Sequence, residues 1–444
     1  MKPIKTFFYA FLVGLTALWW FTDSTALTSV TNFFGWRDML MQYSGVLAIG
    51  VMSVAMVLAV RPVLFETYLG GLDKMYRLHK WLGIAGLVLS ISHWLMSEAP
   101  KWLTGLGLLE RGARGPRAPA ASDPIRQFFS SQRGFAEGIG EWAFYAAVAL
   151  MVLALIKKFP YKHFFKTHHL IAVAYLALVW HSSILLKFDY WSGLLGPVMI
   201  ILMVAGSVAA IVVLFGKVAI KRRLVGEVAG IRRHDALKVM EIDIAFQGRW
   251  AGHEAGQFAF VTLHADEGAH PYTISSAWGN NGRLTFIIKA LGDYTRTLTH
   301  RVKLNDVVTV EGPYGRFNFE GGRKHQIWIG AGIGITPFIA RMQALANAPD
   351  GRKIHLFHST RVYDPTAIGL MERDAKAANV ALTVFSDERD GLLTAQRIAE
   401  QVSDWRDSDI WFCGPSQFGQ SLMKDFAGMG LDQSQFHQEL FEMR

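Results

Sequence analysis

Five histidines stand where histidines are costly: His79, His93, His168, His169 and His181 lie in, or at the mouths of, long uncharged apolar stretches. An ionisable group inside a lipid bilayer is expensive and as a rule functional, and a neutral imidazole is a good iron ligand. They fall on two stretches with at least two on each, so their placement suits two b-type haems, each gripped by one imidazole from either helix. His79 and His93 are 14 residues apart, which sets them about 40° from a common helical face and about 21 Å apart along the axis. Haems at that spacing would bridge a hydrocarbon core of about 30 Å. His168 and His181 are 13 apart, about 140° off one face of an ideal helix, and His169 is about 120° off. The second helix therefore needs a local irregularity or differently turned rings. The metal ligands read from this spacing are His79, His93, His168 and His181, with His169 the alternative to His168.

The elements that must carry them are apolar runs. Six appear in the first half: Phe7–Phe21, Met39–Val60, Trp81–Met96, Trp142–Ile156, His168–Leu186 and Trp191–Phe215. Several are shorter than the roughly 20 residues of a spanning helix, but interfacial Trp and flanking Lys or Arg extend them. Lys2 and Lys5 precede the first run as in a signal peptide, yet no small-x-small cleavage site closely follows Trp20, so the expectation is a retained helix. With the N-terminus inside, 14 Lys and Arg collect on the cytoplasmic side, including Arg77, Lys80, Lys157, Lys158 and Lys221. The positive-inside rule then holds, the exception being an Arg-rich loop over 98–138 on the far side. This topology pairs His79 with His168 at the inner level and His93 with His181 at the outer one, and makes the C-terminal half cytoplasmic. The loop is too polar and Pro/Gly-rich to span. It reads either as a solvated segment or as a basic rim for an anionic electron acceptor.

Composition narrows the classes. Charged residues make up 18% of the 444, below the roughly 25% of soluble domains. The net charge of +9 divides into +8 for residues 1–216 and +1 for 217–444, so the C-terminal half has no basic excess for nucleic acid. The single cysteine, Cys413, excludes disulfide frameworks, Cys-ligated iron–sulfur clusters and thioether-attached haem.

From about Leu224 short alternating strands with turn signals follow one another (VGEVAGIRRH, KVMEIDIAF, QFAFVTL, RLTFIIKAL, VVTVEGPYG), the pattern of a small antiparallel barrel. After Arg323, apolar strands alternate with helices in a nucleotide-binding α/β layout. GAGIGITPF (Gly330 to Phe338) follows one such strand and opens a helix, where glycine lets backbone N–H groups approach a pyrophosphate. HPYTISS (His270 to Ser276) and GDYT (Gly292 to Thr295), in strand and turn context, offer aromatic, hydroxyl and backbone groups suited to a flavin and its phosphates.

Taken in order, the paired-histidine spans, HPYT, GDYT, GPYG (Gly312 to Gly315), GAGIGITPF, CGP (Cys413 to Pro415) and the terminal aromatic Phe441 resemble the ferric reductase and NADPH oxidase superfamily. The resemblance covers about residues 40–444. It implies a six-helix transmembrane bundle followed by an antiparallel β-barrel FAD domain and an α/β Rossmann-like NADPH domain. The boundaries would be 1–216, 217–320 and 321–444. His270, Pro271, Tyr272, Thr273, Ser275 and Ser276, with Gly292, Asp293, Tyr294 and Thr295, would bind FAD. In that set Tyr272 would lie against the flavin and Thr273 near its reactive edge. Gly330, Ala331, Gly332, Gly334, Thr336 and Pro337, with Cys413, Gly414 and Pro415, would hold the nicotinamide dinucleotide, Thr336 and Cys413 lying near the nicotinamide. Phe441 would cover the isoalloxazine until nicotinamide displaces it. Arg361, in HSTR, sits where family members meet the 2′-phosphate and favours NADPH over NADH. No calcium-binding EF-hand loop is present.

The implied function is transmembrane electron transfer at the plasma (inner) membrane, with both termini cytoplasmic. Electrons would pass from NADPH through FAD and two haems to an acceptor outside, dioxygen giving superoxide. The rival readings are a ferric-chelate reductase, an electron-relay subunit for a partner protein, and a membrane-anchored flavin reductase without haem.

Overall fold

The computed structural model describes residues 1–110, 123–156, 158–248 and 250–439. Phe441 and the arginines at 111, 114 and 117 lie outside that set, as does Lys157. The chain divides into two compact units, one of residues 1–70 and 74–218, the other of 71–73 and 219–443.

The first unit is helical: α1 (Lys2–Ser29), α2 (Phe33–Ala59), a short α3 (Glu66–Leu69), α4 (Leu72–Gly105), α5 (Pro124–Leu155), α6 (Tyr161–His169), α7 (Ile171–Leu185) and α8 (Leu195–Leu214). Taking α6 and α7 together, six segments among the described residues are long and apolar enough to cross a membrane. The helices outrun the apolar runs. Residues 98–105 and 124–138, which read as loop, continue α4 and begin α5. Asp123 caps α5 by accepting from the Ile125 amide at 3.0 Å, and Pro124 sits at its first position, where its missing N–H costs nothing. The core of the unit forms where α2, α7 and α8 meet, around the fully buried Tyr175. Its hydroxyl lies 2.8 Å from Ser53 Oγ, and a Cβ on Gly206 would stand 2.0 Å from it. In hydrocarbon such a hydroxyl needs a partner, and a glycine is what lets α8 approach closely enough.

The described residues of the other unit form two sheets. The first is antiparallel in the order β4-β3-β6-β1-β2-β5, made of β1 (Arg223–His234), β2 (Val239–Phe246), β3 (Phe258–Thr262), β4 (His270–Thr273), β5 (Arg283–Lys289) and β6 (Val307–Tyr314). A bridge between Ile274 and Phe286 and the Ser275 N–H bond to the Thr285 carbonyl join its two edges, so the sheet closes as a barrel. The second is parallel in the order β11-β10-β7-β8-β9, with β7 (His325–Ala331), β8 (Lys353–Thr360), β9 (Ala381–Ser386), β10 (Ser408–Cys413) and β11 (Phe436–Gln438). Its helices are α10 (Thr336–Asn347), α11 (Pro365–Ala377), the short α12 (Asp387–Asp390), α13 (Ala395–Gln401) and α14 (Ser416–Gly428), while α9 (Asp293–Arg301) follows β5. Phe317 and Phe319, just after the barrel, pack with Trp328, Phe338 and Trp411 of the α/β layer. Each large ring buried there contributes about 2–3 kcal/mol.

Candidate functional site

The helical unit brings the four read histidines together in two pairs. His79 and His168 have ring centroids 5.9 Å apart, and His93 and His181 6.3 Å apart, the rings 69° and 84° from coplanar. Two metal–imidazole bonds of about 2 Å, plus roughly 1 Å from nitrogen to ring centre on each side, span about 6 Å. A single ion fits between the rings of either pair. Three of the four imidazoles donate Nδ1–H to a backbone carbonyl: His79 to Ala55 (2.9 Å), His93 to Met41 (2.9 Å) and His181 to Ala136 (2.8 Å). That fixes the tautomer and presents Nε2 to a ligand. Gly140 is the cradle for His181, since a Cβ there would stand 1.9 Å from Nδ1, and Gly45 makes a closer-than-usual approach to His93.

His169 is directed elsewhere, its Nδ1 2.5 Å from the carbonyl of Phe165 one turn back. The angular mismatch between His168 and His181 is resolved by a break at Leu170, which ends α6 and starts α7 through tightened contacts from Leu170 N to Thr167 O (3.1 Å) and Val173 N to Leu170 O (3.1 Å). The two ligands ride on separate helices and need not share one ideal face.

In the other unit, β4 lines up a column of rings. His270 and Tyr272, two apart on one strand face, have centroids 6.4 Å apart, and His270 stacks on Tyr294 at 4.6 Å and 23°. Arg301 lies 5.9 Å from the Tyr294 ring, and the Tyr294 hydroxyl is 2.8 Å from His264 Nδ1. Burial holds the His270 pKa down to about 4 and pushes the Tyr294 phenol up. His270 and Tyr294 are therefore both uncharged at neutral pH, as a surface for a flat ring should be. GDYT is the start of helix α9 and not a simple turn: Thr295 Oγ1 accepts from the Leu291 and Gly292 amides at 2.9 Å each. Thr273 is buried beside Pro271 on the edge strand. Ser275 Oγ accepts from Ile287 N at 3.2 Å and Ser276 Oγ from Thr285 N at 3.1 Å, so these hydroxyls tie β5 to the barrel edge. GPYG ends β6, with Tyr314 fully buried and its hydroxyl 2.9 Å from Glu311.

The two glycine turns of the α/β layer meet at the ends of adjacent parallel strands, Gly330 of β7 in register with Cys413 of β10. A Cβ on Gly334 would lie 2.2 Å from the Cys413 carbonyl, and one on Gly414 2.6 Å from Ala331 Cβ. Gly332 has φ +57, a left-handed conformation glycine adopts without strain. Thr336 and Cys413 are buried, Pro337 is the second residue of α10, and Pro415 precedes α14. Burial raises the Cys413 thiol well above its ordinary value, so it stays protonated. Arg361 is exposed just past β8, and among the described residues it has no ion-pair partner.

Two further residues join this turn. The buried His358 of β8 donates Nδ1–H to the Gly330 carbonyl at 3.0 Å, its pKa lowered to about 4 by burial. Lys289, the last residue of β5, brings Nζ to 3.9 Å from where a Gly332 Cβ would be. The signal for His358 was its place in HSTR, which ends at Arg361; Lys289 carried none, because only the packing of the barrel against the α/β layer sets its strand end beside a turn 43 residues later.

Residues 44–179 match the family described as ferric reductase like transmembrane component, and residues 236–318 match an FAD-binding domain family. A flavohaemoprotein of Bordetella pertussis is 28% identical over 211 residues, covering 42% of this chain and 52% of that protein. A stachydrine N-demethylase reductase subunit of Rhizobium meliloti is 27% identical over 212 residues, covering 44% of this chain and 60% of the relative. The chain thus spans little more than half the length of these relatives. The FAD/NAD-binding domain of a nitric oxide dioxygenase from Vibrio cholerae is 21% identical with a TM-score of 0.43, covering 49% of this chain and 97% of that domain. A ferric reductase-like transmembrane region and an FAD-binding region on one chain indicate a membrane-embedded oxidoreductase. The two matched regions, transmembrane first and FAD-binding second, stand in the order of the ferric reductase and NADPH oxidase architecture that the sequence motifs resemble.

Proposed function

We propose that the chain oxidises cytosolic NADPH and delivers the electrons singly across the plasma membrane, through FAD and two b-type haems, to dioxygen on the far side. The observation that carries this reading is the two imidazole pairs, spaced for one ion each. Among the described residues no cluster of three or more metal-ligand side chains exists, so an ion between either pair would find two protein ligands. A porphyrin supplies the four that are missing. His79 with His168 would hold the inner haem and His93 with His181 the outer one. When bound, FAD takes a hydride from the nicotinamide and releases electrons one at a time, the currency of bis-imidazole haem.

The chain's own residues supply position and exclusion. Residues 217–320 would form the FAD domain and 321–444 the NADPH domain. The Tyr272–His270–Tyr294 column would seat the flavin, and the start of α9 its phosphates. The turn at Gly330–Gly334, pinned by His358, would present amides to the dinucleotide pyrophosphate, with Arg361 on the 2′-phosphate. Thr336, Cys413 and the terminal Phe441 would flank the nicotinamide and flavin. With His93 and His181 both committed to holding it, the outer group would pass electrons to the acceptor without bonding to it.

A specific observation favours dioxygen over an anionic ferric chelate. The described cations assigned to the outer side are all matched: Arg37 with Asp38, Lys101 with Glu98, Arg126 with Asp189, Arg133 with Glu137 and Lys187 with Asp23. Such pairs add little stability, but they leave those cations no net field with which to gather anions. A reduced-minus-oxidised spectrum with haem quantification tests the carriers. Two haems per chain are expected, and flavin without haem would end the reading. Cytochrome c reduction blocked by superoxide dismutase tests the acceptor. Dismutase-insensitive turnover, with ferric chelate reduced anaerobically, would replace dioxygen with a chelate.

A further inference from the structure

One outward face of the barrel is apolar where solvent alone would favour polar side chains. β6 turns Val308 and Val310 into the core and leaves Val307 outside, and β1 turns Val228 inward and leaves Val225 outside. Gly226 pairs with Val308, so Val225 and Val307 are diagonal neighbours on that outer face. Ile220 stands at one end of the ladder, in a short helical turn whose Arg222 donates to the Pro313 carbonyl, and Leu304 at the other, in the turn entering β6. All four apolar side chains are more than half exposed. Outward positions of an antiparallel sheet are ordinarily polar, and β2 and β5 keep that rule with Glu241, Asp243, Arg283 and Thr285.

The rim of this patch is basic. Lys217, Lys221 and Lys303 are exposed, and none has an ion-pair partner among the described residues. The arginines between them are engaged, Arg222 with the Pro313 carbonyl at 2.6 Å and Arg223 with Glu311 at 3.0 Å. So are the nearby carboxylates: Glu227 accepts from Gln247 Nε2 at 3.0 Å and Asp306 from the Lys303 amide at 2.7 Å. The centre of a protein–protein contact is rich in aromatic side chains and poor in lysine, the reverse of what is found here. Branched aliphatic groups ringed by lysines on long apolar stems suit a lipid surface, the aliphatics at the acyl boundary and the ammonium groups among the phosphates. The chain also keeps the patch near one. Val225 comes eleven residues after Leu214, the end of the spanning helix α8, a reach of at most about 40 Å even fully extended.

We propose that the outer face of β1 and β6 rests on the leaflet from which α8 emerges. Ile220, Val225, Leu304 and Val307 enter the headgroup layer there, and Lys217, Lys221 and Lys303 meet anionic phospholipid. The inference uses membrane embedding alone and stands whichever metal group or acceptor the protein has.

The test is fluorescence quenching by lipid. Cys413 is buried, so a nitrobenzoxadiazole label goes to an introduced cysteine. Full-length Val307→Cys is labelled and placed in vesicles of phosphatidylcholine, with or without phosphatidylglycerol, that contain a lipid bearing a shallow nitroxide. Glu400→Cys, exposed on α13, is the control. The label at 307 is expected to shift its emission to the blue and to lose emission to the nitroxide, more so with phosphatidylglycerol, while the label at 400 does neither. Lys217→Glu/Lys221→Glu/Lys303→Glu should cancel the gain from phosphatidylglycerol. Quenching at 307 no greater than at 400, or indifferent to both phosphatidylglycerol and the triple substitution, overturns the inference. Self-quenching of the label at 307 that grows with the protein-to-lipid ratio assigns the patch to a second copy of the chain and also overturns it. Val225→Cys, on the neighbouring strand, carries the same test should Val307→Cys fail to fold.

Discussion

The two units build their sites from opposite materials. In the helical unit the site consists of side chains: four imidazoles projecting from α4, α6 and α7, three of them oriented by carbonyls of α2 and α5. In the mixed unit it consists largely of backbone: turns where Gly334 and Gly414 allow two chain segments to touch, and an edge strand that lines up flat rings. A bilayer offers the backbone no water, so every amide is consumed by its own helix and side chains must do the ligating. Outside the membrane, strand ends and helix starts leave amides free for phosphates. Losing one ligand should therefore cost the first unit a whole cofactor, whereas a single change in the second should weaken binding by degrees.

The sharpest way to break that contrast is His93→Ala. One of two haems per chain should be lost, by haem quantification, with flavin content and NADPH-driven reduction of an artificial cytoplasmic-side acceptor retained. Loss of flavin as well would show that the units are not separable in this way. Gly140→Val should reproduce the selective loss without touching a ligand, since its Cβ would overlap His181 Nδ1. In the other unit, Gly334→Val should destabilise by about 1–3 kcal/mol through overpacking against Cys413, seen as a lower thermal midpoint with haem content unchanged. Arg361→Ser should raise KM for NADPH about tenfold, roughly 1.4 kcal/mol, and leave NADH unaffected. An equal effect on both cofactors would remove Arg361 from the 2′-phosphate.

The last effect concerns acid and is spread over more than two pH units. His358, held down to about 4 from 6.5, stays neutral in the fold while the unfolded chain takes up a proton. Its contribution is present above pH 6.5 and is lost as pH falls toward 4, on the order of 3 kcal/mol at most. His358→Asn, which keeps a donor for Gly330, should flatten the acid limb of the stability profile of the reductase unit. An unchanged limb would assign it to other groups such as His270.

Much of the site was legible because periodicity and spacing are local properties. The six apolar segments, the histidine pairs and the strand-turn-helix around Gly330 are all visible within a few dozen residues. What escaped was set by contacts between distant segments or by competition between neighbours. The helical continuation of 98–105 and 124–138 escaped because polar residues extend a helix at low cost once it is nucleated. The helix opened by GDYT escaped because its start is a threonine hydroxyl capturing two amides, a choice not marked by any apolar period.

Residue order alone determined that imidazoles fall in apolar segments, at least two to each of two, that a glycine turn follows a strand, and that one cysteine cannot ligate a cluster. Periodicity and counting need no third dimension. Tertiary structure decided which imidazole faces which, that a break at Leu170 lets His168 reach His79, and that His168 alone of the four is left without a carbonyl. Those outcomes depend on where a hydrogen-bond acceptor on one helix falls beside a donor on another, and the packing of α2, α5 and α6 sets that distance.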